Sequence, residues 1–288
     1  MTSKITNTNG ALYRSLSAHK STCGRLAIIA GSDTYTGAAI LATKAALRCG
    51  VGLVVVFSVR SVTTAIQQSC PESIAISVSN APYLSHHDWP ELLLLMREHR
   101  IDGLVMGPGL GRHPDTMGLV NLILFEEWPA PLPCVIDADA LHAIRQDDLP
   151  RFTHISGILT PHPGEFEQLT QQKITDAQHN LTTATDGHPH VIVLKGAPTW
   201  ISQHQNEAYQ NRSGNPGMAV AGMGDALSGC IGALMVQGLS SFDAACLGTY
   251  CHGVAGDMAF ETYHIGLTPS DVIDALPEAL APFVVVGK

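Results

Sequence analysis

The chain has 288 residues, 45% hydrophobic and 14% charged, a balance that supplies one large buried core. A formal net charge of -9 speaks against nucleic acid or an anionic membrane as the main partner, because both select basic surfaces. No run reaches the roughly 18 uninterrupted apolar residues of a membrane helix, and the seven cysteines, with no C-x-x-C spacing, read as buried free thiols of a reducing compartment. The expected setting is therefore soluble and cytoplasmic.

Residues 1–23 form a polar extension, and 1–22, rich in Ser, Thr and Asn, lack the apolar segment of a secretion signal. Residues 24–288 read as a single domain in which short apolar runs alternate with helical patterns, the mark of successive β-α units. A buried strand over 26–30 leads through a loop at 31–37 to a helix of small residues over 38–49 that must pack tightly. Strands follow at 53–58 and, more weakly, 73–78, then a helix at 89–99. A strand at 104–106 enters the glycine-rich turn 107–111 and a helix at 116–127. The strand at 135–136 ends on Asp137 and Asp139 and opens a helix. The strand at 157–160 runs into Pro161-His162-Pro163-Gly164-Glu165, again strand to helix. The strand at 191–194 ends on Lys195-Gly196, and the next segments, 199–202 and 207–211, read as a strand pair. A helix begins at or near Asp225 and runs to Gly238, another spans 242–262, and the last is capped by Thr268-Pro269-Ser270-Asp271. The predicted architecture is three-layer α/β/α with a mostly parallel central sheet. The loops at the carboxyl ends of its strands meet on one edge, where ligands bind.

The stretch 211–233 organises the candidate site. Closely spaced Ser213, Gly214, Asn215, Pro216 and Gly217 predict an ordered turn, and Gly222 and Gly224 then open a helix whose first N–H groups are free to meet an anion. Glycines there let a backbone approach a phosphate closely. Asp225 beside that phosphate either caps the helix or takes the proton of a hydroxyl that attacks the phosphoryl group. Lys195, at the end of an apolar strand, either brings an ammonium to the phosphate or reaches out to water. The prolines around His162 fix the backbone that presents its ring. Asp137 and Asp139 could hold magnesium through water, and Asp139 could equally cap the following helix. The loop at 31–37 lacks G-x-G-x-x-G spacing, and no G-x-x-x-x-G-K-[ST] occurs. His86-His87 and His188-Pro189-His190 lie in polar loop sequence, and no H-x-x-x-H falls on a helix, so no zinc site is expected.

Six motifs in order, Gly31-Ser32 with Tyr35-Thr36-Gly37-Ala38, G-P-G-L-G at 107–111, D-A-D-A-L at 137–141, T-P-H-P-G-E at 160–165, K-G-A-P-T at 195–199, and G-N-P-G-M-A with A-G-M-G-D at 214–225, resemble the ADP-dependent NAD(P)H-hydrate dehydratase family over nearly the whole chain. The resemblance implies a ribokinase-like fold. It implies ADP-dependent dehydration of the S-form of hydrated NADH or NADPH, with ATP as a possible donor, magnesium as cofactor, and AMP and phosphate released. By the same resemblance, Ala38, Gly109 and His162 contact the hydrated dinucleotide, Lys195, Gly196, Ala197, Pro198, Thr199, Gly222 and Gly224 hold the adenine nucleotide, and Asp225 meets the substrate as the catalytic residue. No protein ligand for a metal is implied. A homo-oligomer, with a tetramer suspected, is the expected assembly. Ala221 departs from the glycine usual in the family, and its methyl is expected to narrow the anion hole. The epimerase domain often fused ahead of such a module is not expected here. A small-molecule hydroxyl kinase of the same fold is the alternative, and a nucleotide sensor without turnover is disfavoured by the presence of both Lys195 and Asp225.

Overall fold

The computed structural model describes residues 12–128, 130–204, 206 and 208–287. Valine- and isoleucine-rich segments with no exposed face become the inner strands of one sheet, as expected where helices cover both sides. Its strands are β2 (Arg25–Ile29), β3 (Leu53–Val59), β4 (Ile74–Ser79), β5 (Gly103–Met106), β6 (Leu132–Ile136), β7 (Ile155–Leu159), β8 (Val191–Leu194), β9 (Thr199–Gln203) and β10 (Tyr209–Asn211). Their spatial order is β10-β9-β8-β7-β6-β5-β2-β3-β4, parallel from β8 to β4, with β9 and β10 added antiparallel. The chain steps outward from β2 to β3 and β4, then returns to place β5 on the other side of β2. Ligands of open parallel sheets bind beside such a reversal. Right-handed crossovers put the helices before and after the reversal on opposite faces. The mostly parallel three-layer arrangement read from the sequence is the one observed.

The helices are α1 (Thr36–Arg48), α2 (Arg60–Ser69), α3 (Trp89–Glu98), α4 (Pro114–Phe125), α5 (Pro163–Thr170), α6 (Ala177–Ala184), α7 (Met223–Val236), α8 (Ser241–Tyr263) and α9 (Pro269–Leu280). The small residues of α1 do pack tightly, for Gly229 of α7 lies directly on the Ala42 backbone, where a side chain would collide. α7 is buried along nearly its whole length, as a helix apolar all round must be. Its cap is Gly222, with φ +94°, so the helix starts two residues before Asp225. A Cβ on Gly222 would stand 2.6 Å from Leu41 Cδ1 and 3.1 Å from Pro269 Cγ. Gly222→Ala therefore meets both left-handed backbone strain and a clash, and we expect it to cost about 2–3 kcal/mol, read as a lower midpoint in urea unfolding.

Other differences have local causes. α2 follows β3 with Val59 as its cap and no side-chain cap bond, so no polar start signal marks it. The segment after Asp137 is a 3-10 helix, Ala138–Ala143, rather than an α-helix, and Ala138 takes φ +48°. α6 was not foreseen, although Asp176 caps it by accepting from the His179 N–H at 2.9 Å. β1 (Leu12–Ser15), within the polar extension, pairs in parallel with β11 (Val284–Gly287) as a separate two-stranded sheet. Residue 207, the expected start of the second strand of the terminal pair, lies outside the described residues, as do residues 1–11.

The histidines at 188 and 190 precede β8 in a loop but are buried, not solvated. His190 Nδ1 accepts from the Gly157 N–H at 3.1 Å and its Nε2 lies 2.9 Å from the Leu149 carbonyl. Burial pushes its pKa down to about 4, so the ring is a neutral core group. Among the described residues no helix is long and apolar enough to cross a membrane, and the seven cysteines are buried and form no disulfide.

Candidate active site at the carboxyl edge of the sheet

The loops after β2 and β5 flank the reversal and are tied together. The Gly31 N–H donates to the Pro108 carbonyl at 2.8 Å, and Ser32 Oγ donates to the Gly109 carbonyl at 2.9 Å. Gly109, with φ +64°, sits so close to Tyr35 and Ala38 that a Cβ would fall 2.8 and 2.9 Å from their side chains. Behind this pair, Gly107 lies against the Asp137 carbonyl and leaves no room for a side chain.

Asp137, at the end of β6, is 1% exposed, and its Oδ1 accepts from Lys195 Nζ at 2.7 Å. Glu165 Oε2 lies 3.8 Å from the same ammonium. A Cβ on Gly224 would stand 3.3 Å from Lys195 Nζ, so the ammonium rests on the first turn of α7. A cation at the positive end of a helix is electrostatically uphill, and Asp137 and Glu165 offset that cost. Burial pulls the Lys195 pKa down, but the negative charges of Asp137, Glu165 and Asp225 outweigh it and keep the net shift upward. The ammonium, the free N–H groups of α7 and the glycine backbone together make a concentrated positive spot, suited to phosphate.

Asp225 occupies the third position of α7, and the helix cap receives no side-chain hydrogen bond. Burial and the nearby Asp137 charge raise its pKa to about 7, with Lys195 pulling the other way and Asp139 adding to the rise. A carboxyl poised near neutrality suits proton transfer at that pH.

Two cavities meet at this helix start. The larger, of about 760 Å³, is lined by Lys195, Gly196, Ala197, Pro198, Thr199 and Gly224, together with 210–216 and the face of α8 that carries Thr249 and His252. Burial pushes His252 down to about 4, so its ring is neutral. The loop carrying Gly214 and Asn215 is pinned to α8: Asp257 accepts from the Gly214 N–H and from Asn215 Nδ2, both at 3.0 Å. The second cavity, of about 590 Å³, is lined by Tyr35, Ala38, Gly109, Gly111, Arg112, Asp139 and Asp225. Asp139 holds this rim by accepting from the Gly111 N–H at 2.9 Å and from Arg112 Nε at 3.0 Å, a use of its carboxylate other than capping.

Of the residues singled out in the sequence, 195–199 and Gly224 thus lie in one cavity, and Ala38, Gly109 and Asp225 in the other, with the Gly224–Asp225 peptide between them. His162, Gly222 and Ala221 line neither. His162 caps α5 in a reciprocal box, Nδ1 accepting from the Glu165 N–H at 3.2 Å while Glu165 Oε2 accepts from the His162 N–H at 2.8 Å. Through Glu165 it adjoins Lys195 rather than the second cavity. Gly222 serves the helix cap, and Ala221 is exposed. Arg112, Arg212, Thr249 and His252 were not singled out. The α8 pair had no local signal, since a Thr and a His three apart in an apolar helix read as core.

An open, mostly parallel sheet carrying a glycine-opened helix and an adjoining nucleotide-sized cavity defines a ribokinase-like protein. A ribokinase-like superfamily protein from Enterococcus faecalis superposes with a TM-score of 0.82 at 26% identity, over 94% of this chain and 91% of the other. The model of the NAD(P)H-hydrate dehydratase family matches residues 26–278, and the chain belongs to that family. It is 38% identical to the bifunctional NAD(P)H-hydrate repair enzyme of Moorella thermoacetica over 93% of its own length, and spans about half (51%) of that relative. It is 34% identical to the ADP-dependent (S)-NAD(P)H-hydrate dehydratase of Neisseria meningitidis, over 91% of this chain and 86% of the relative. The ADP/ATP-dependent NAD(P)H-hydrate dehydratase of Bacillus subtilis, co-crystallised with ATP and magnesium, matches with a TM-score of 0.79 at 28% identity and 94% coverage of both chains.

Proposed function

We propose that the protein is an ADP-dependent (S)-NAD(P)H-hydrate dehydratase, a hydro-lyase that restores damaged NADH and NADPH and releases AMP and phosphate. The observation that carries this reading is the junction of the two cavities: the residue that faces one, Asp225, directly follows the residue that faces the other, Gly224. In this reading the adenine nucleotide lies in the larger cavity along 195–199, with its terminal phosphate at Gly224 and Lys195. The hydrated nicotinamide ring lies against Ala38 and Gly109, its hydroxyl at Asp225. His162, lining neither cavity, acts through Glu165.

The chemistry follows from leaving groups. Hydroxide leaves a reduced pyridine ring poorly at neutral pH, whereas phosphate leaves well. The substrate hydroxyl oxygen forms a bond to the terminal phosphorus, the bond from that phosphorus to the bridging oxygen breaks to give AMP, and Asp225 accepts the hydroxyl proton. Lys195 and the α7 N–H groups stabilise the charge that gathers on the phosphoryl oxygens. The ring nitrogen lone pair then expels phosphate, and loss of a ring proton restores the double bond.

Magnesium has no ready cage in these residues. Both oxygens of Asp137 and both of Asp139 are engaged by protein donors, and among the described residues no three metal-ligating side chains converge. We therefore assign magnesium to the nucleotide phosphates and give it no protein ligand. A cytoplasmic location and a homo-oligomer belong to the same reading. Support for assembly comes from the exposed Val284, Val285 and Val286 of β11, unusual apolar exposure for an edge strand. Sedimentation that finds only a 30.5 kDa species rejects assembly.

The deciding assay mixes purified protein, hydrated NADH, magnesium and either ADP or ATP, and follows the absorbance of restored NADH. The expected result is one phosphate released per NADH regained. A stable phosphorylated product marks a kinase instead, and no turnover with either nucleotide overturns the proposal.

A further inference from the structure

We propose that Asp137 is a positioning residue that places both working groups of this site, Lys195 directly and Asp225 through Ser228. The inference rests on the function proposed above and adds a role for a carboxylate that need touch neither substrate. Asp137 and Glu165 are the two buried acids among the described residues, and the two oxygens of Asp137 point to two different elements. Oδ1 accepts from Lys195 Nζ at 2.7 Å, at the end of β8, and Oδ2 accepts from Ser228 Oγ at 2.7 Å, inside α7. Ser228 is three residues past Asp225, so both lie on one face of that helix. A single carboxylate thus fixes the ammonium over Gly224 and fastens the face of α7 that presents Asp225.

The surroundings show that this carboxylate is built in. Its main chain is crowded by Gly107, where no side chain fits, and the Asp137 N–H donates to the Met106 carbonyl at 3.0 Å. The following Ala138 holds φ +48°, a conformation costly for a residue with a side chain. Without Asp137, Lys195 would be free to leave the positive end of α7 for water, carrying the phosphate-binding charge with it.

The charge of Asp137 also acts across the site. The charged groups around Asp225 are Asp137 at the end of β6, Asp139 in the 3-10 turn, with Arg112 paired to it, and Lys195 at the end of β8, backed by Glu165 of α5. Neutralising Asp137 removes a repulsive charge from Asp225, which favours its ionised form and moves its titration to lower pH.

The test compares Asp137→Asn and Ser228→Ala with the wild-type protein, with turnover of hydrated NADH recorded from pH 5 to 9 and ADP affinity measured by calorimetry. Asp137→Asn keeps the shape but loses the charge, its single oxygen able to accept from Lys195 while its amide N–H turns to the Ser228 hydroxyl oxygen. The expected result is an acid limb of the kcat profile lowered by about one pH unit and an ADP dissociation constant raised roughly tenfold. Ser228→Ala is expected to lower kcat about three- to tenfold, with the acid limb and ADP affinity unchanged. Should Asp137→Asn fail to fold, Ser228→Ala decides alone, and wild-type kcat in it overturns the proposal. In a folded Asp137→Asn protein, an unmoved acid limb with wild-type ADP affinity marks Asp137 as structural only and also overturns it. Absence of wild-type turnover sinks the proposed function first, a result distinct from either.

Discussion

Asp225→Asn is expected to lower turnover by roughly 10²- to 10⁴-fold while the protein stays folded and binds ADP at least as well as wild type. The amide cannot take the hydroxyl proton, which removes about 3 to 5 kcal/mol of transition-state stabilisation. ADP affinity holds because the lost charge stood beside the phosphates and repelled them. The stability sign is fixed by the raised pKa. Asp225 binds its proton more tightly folded than unfolded, so its contribution is fully present below the ordinary value of 3.8 and is lost as pH rises through about 7. At pH 8 the Asn variant should therefore melt above wild type, by about 1 kcal/mol after solvent screening, and the gap should close toward pH 4. A capping role predicts another pattern: the Asn variant, whose amide caps about as well, keeps its turnover, and Asp225→Ala loses about 0.5 to 2 kcal/mol of stability with its chemistry intact. Turnover, ADP titration and melting at two pH values separate the two, and near wild-type turnover in the Asn variant ends the general-base role.

Lys195→Met should act on binding and folding together. The ammonium is the direct partner of a carboxylate that is 1% exposed, and removing it leaves that charge buried without a counter-ion. Breaking one side of such a pair costs about 3 kcal/mol or more. The same change removes the cation over Gly224, and ADP affinity should fall roughly 10- to 100-fold. The double variant Lys195→Met with Asp137→Asn tells the effects apart. It should regain most of the lost stability, because the most deeply buried carboxylate loses its charge together with its partner, and none of the lost ADP affinity. Urea unfolding and ADP calorimetry on the single and double variants check this. A Lys195→Met protein with wild-type ADP affinity removes Lys195 from the nucleotide site.

The local record of this chain was rich where chemistry depends on backbone. Glycine and proline restrict φ in ways a reader can see, so the turn at 107–111, the rigid approach to His162, and the helix start after Gly222 were all legible. The alternation of apolar runs with helical spacing likewise gave the strands from 26 to 194 to within a few residues and the mostly parallel sheet. The T-x-x-D box before α9 was correctly placed, with Asp271 Oδ2 accepting from the Thr268 N–H at 2.7 Å.

α2, which no polar start signal marks, was invisible in the sequence, and α6 escaped notice despite its Asp176 cap. Pairings between distant parts of the chain were invisible too, because pairing energy depends on distance in space and leaves no periodic trace. β1 reads as polar extension until β11 supplies its partner from the opposite end of the chain.

The same division runs through the site. The residue types by themselves determined that a phosphate-sized anion could meet the start of α7 with an acid beside it, since free N–H groups and absent side chains follow from G-x-G-D wherever a helix begins. Whether that acid caps or catalyses was left open by those four residues. Tertiary structure adds burial and long-range contacts: Asp137 meets the Lys195 ammonium from 58 residues away and the Ser228 hydroxyl from 91 residues away. Burial and the Asp137 charge raise the Asp225 pKa toward neutrality against the pull of Lys195, and Asp137 holds that ammonium against a helix end that would otherwise repel it. A pKa is a property of the field at one point in space, and the field exists only once the chain has folded.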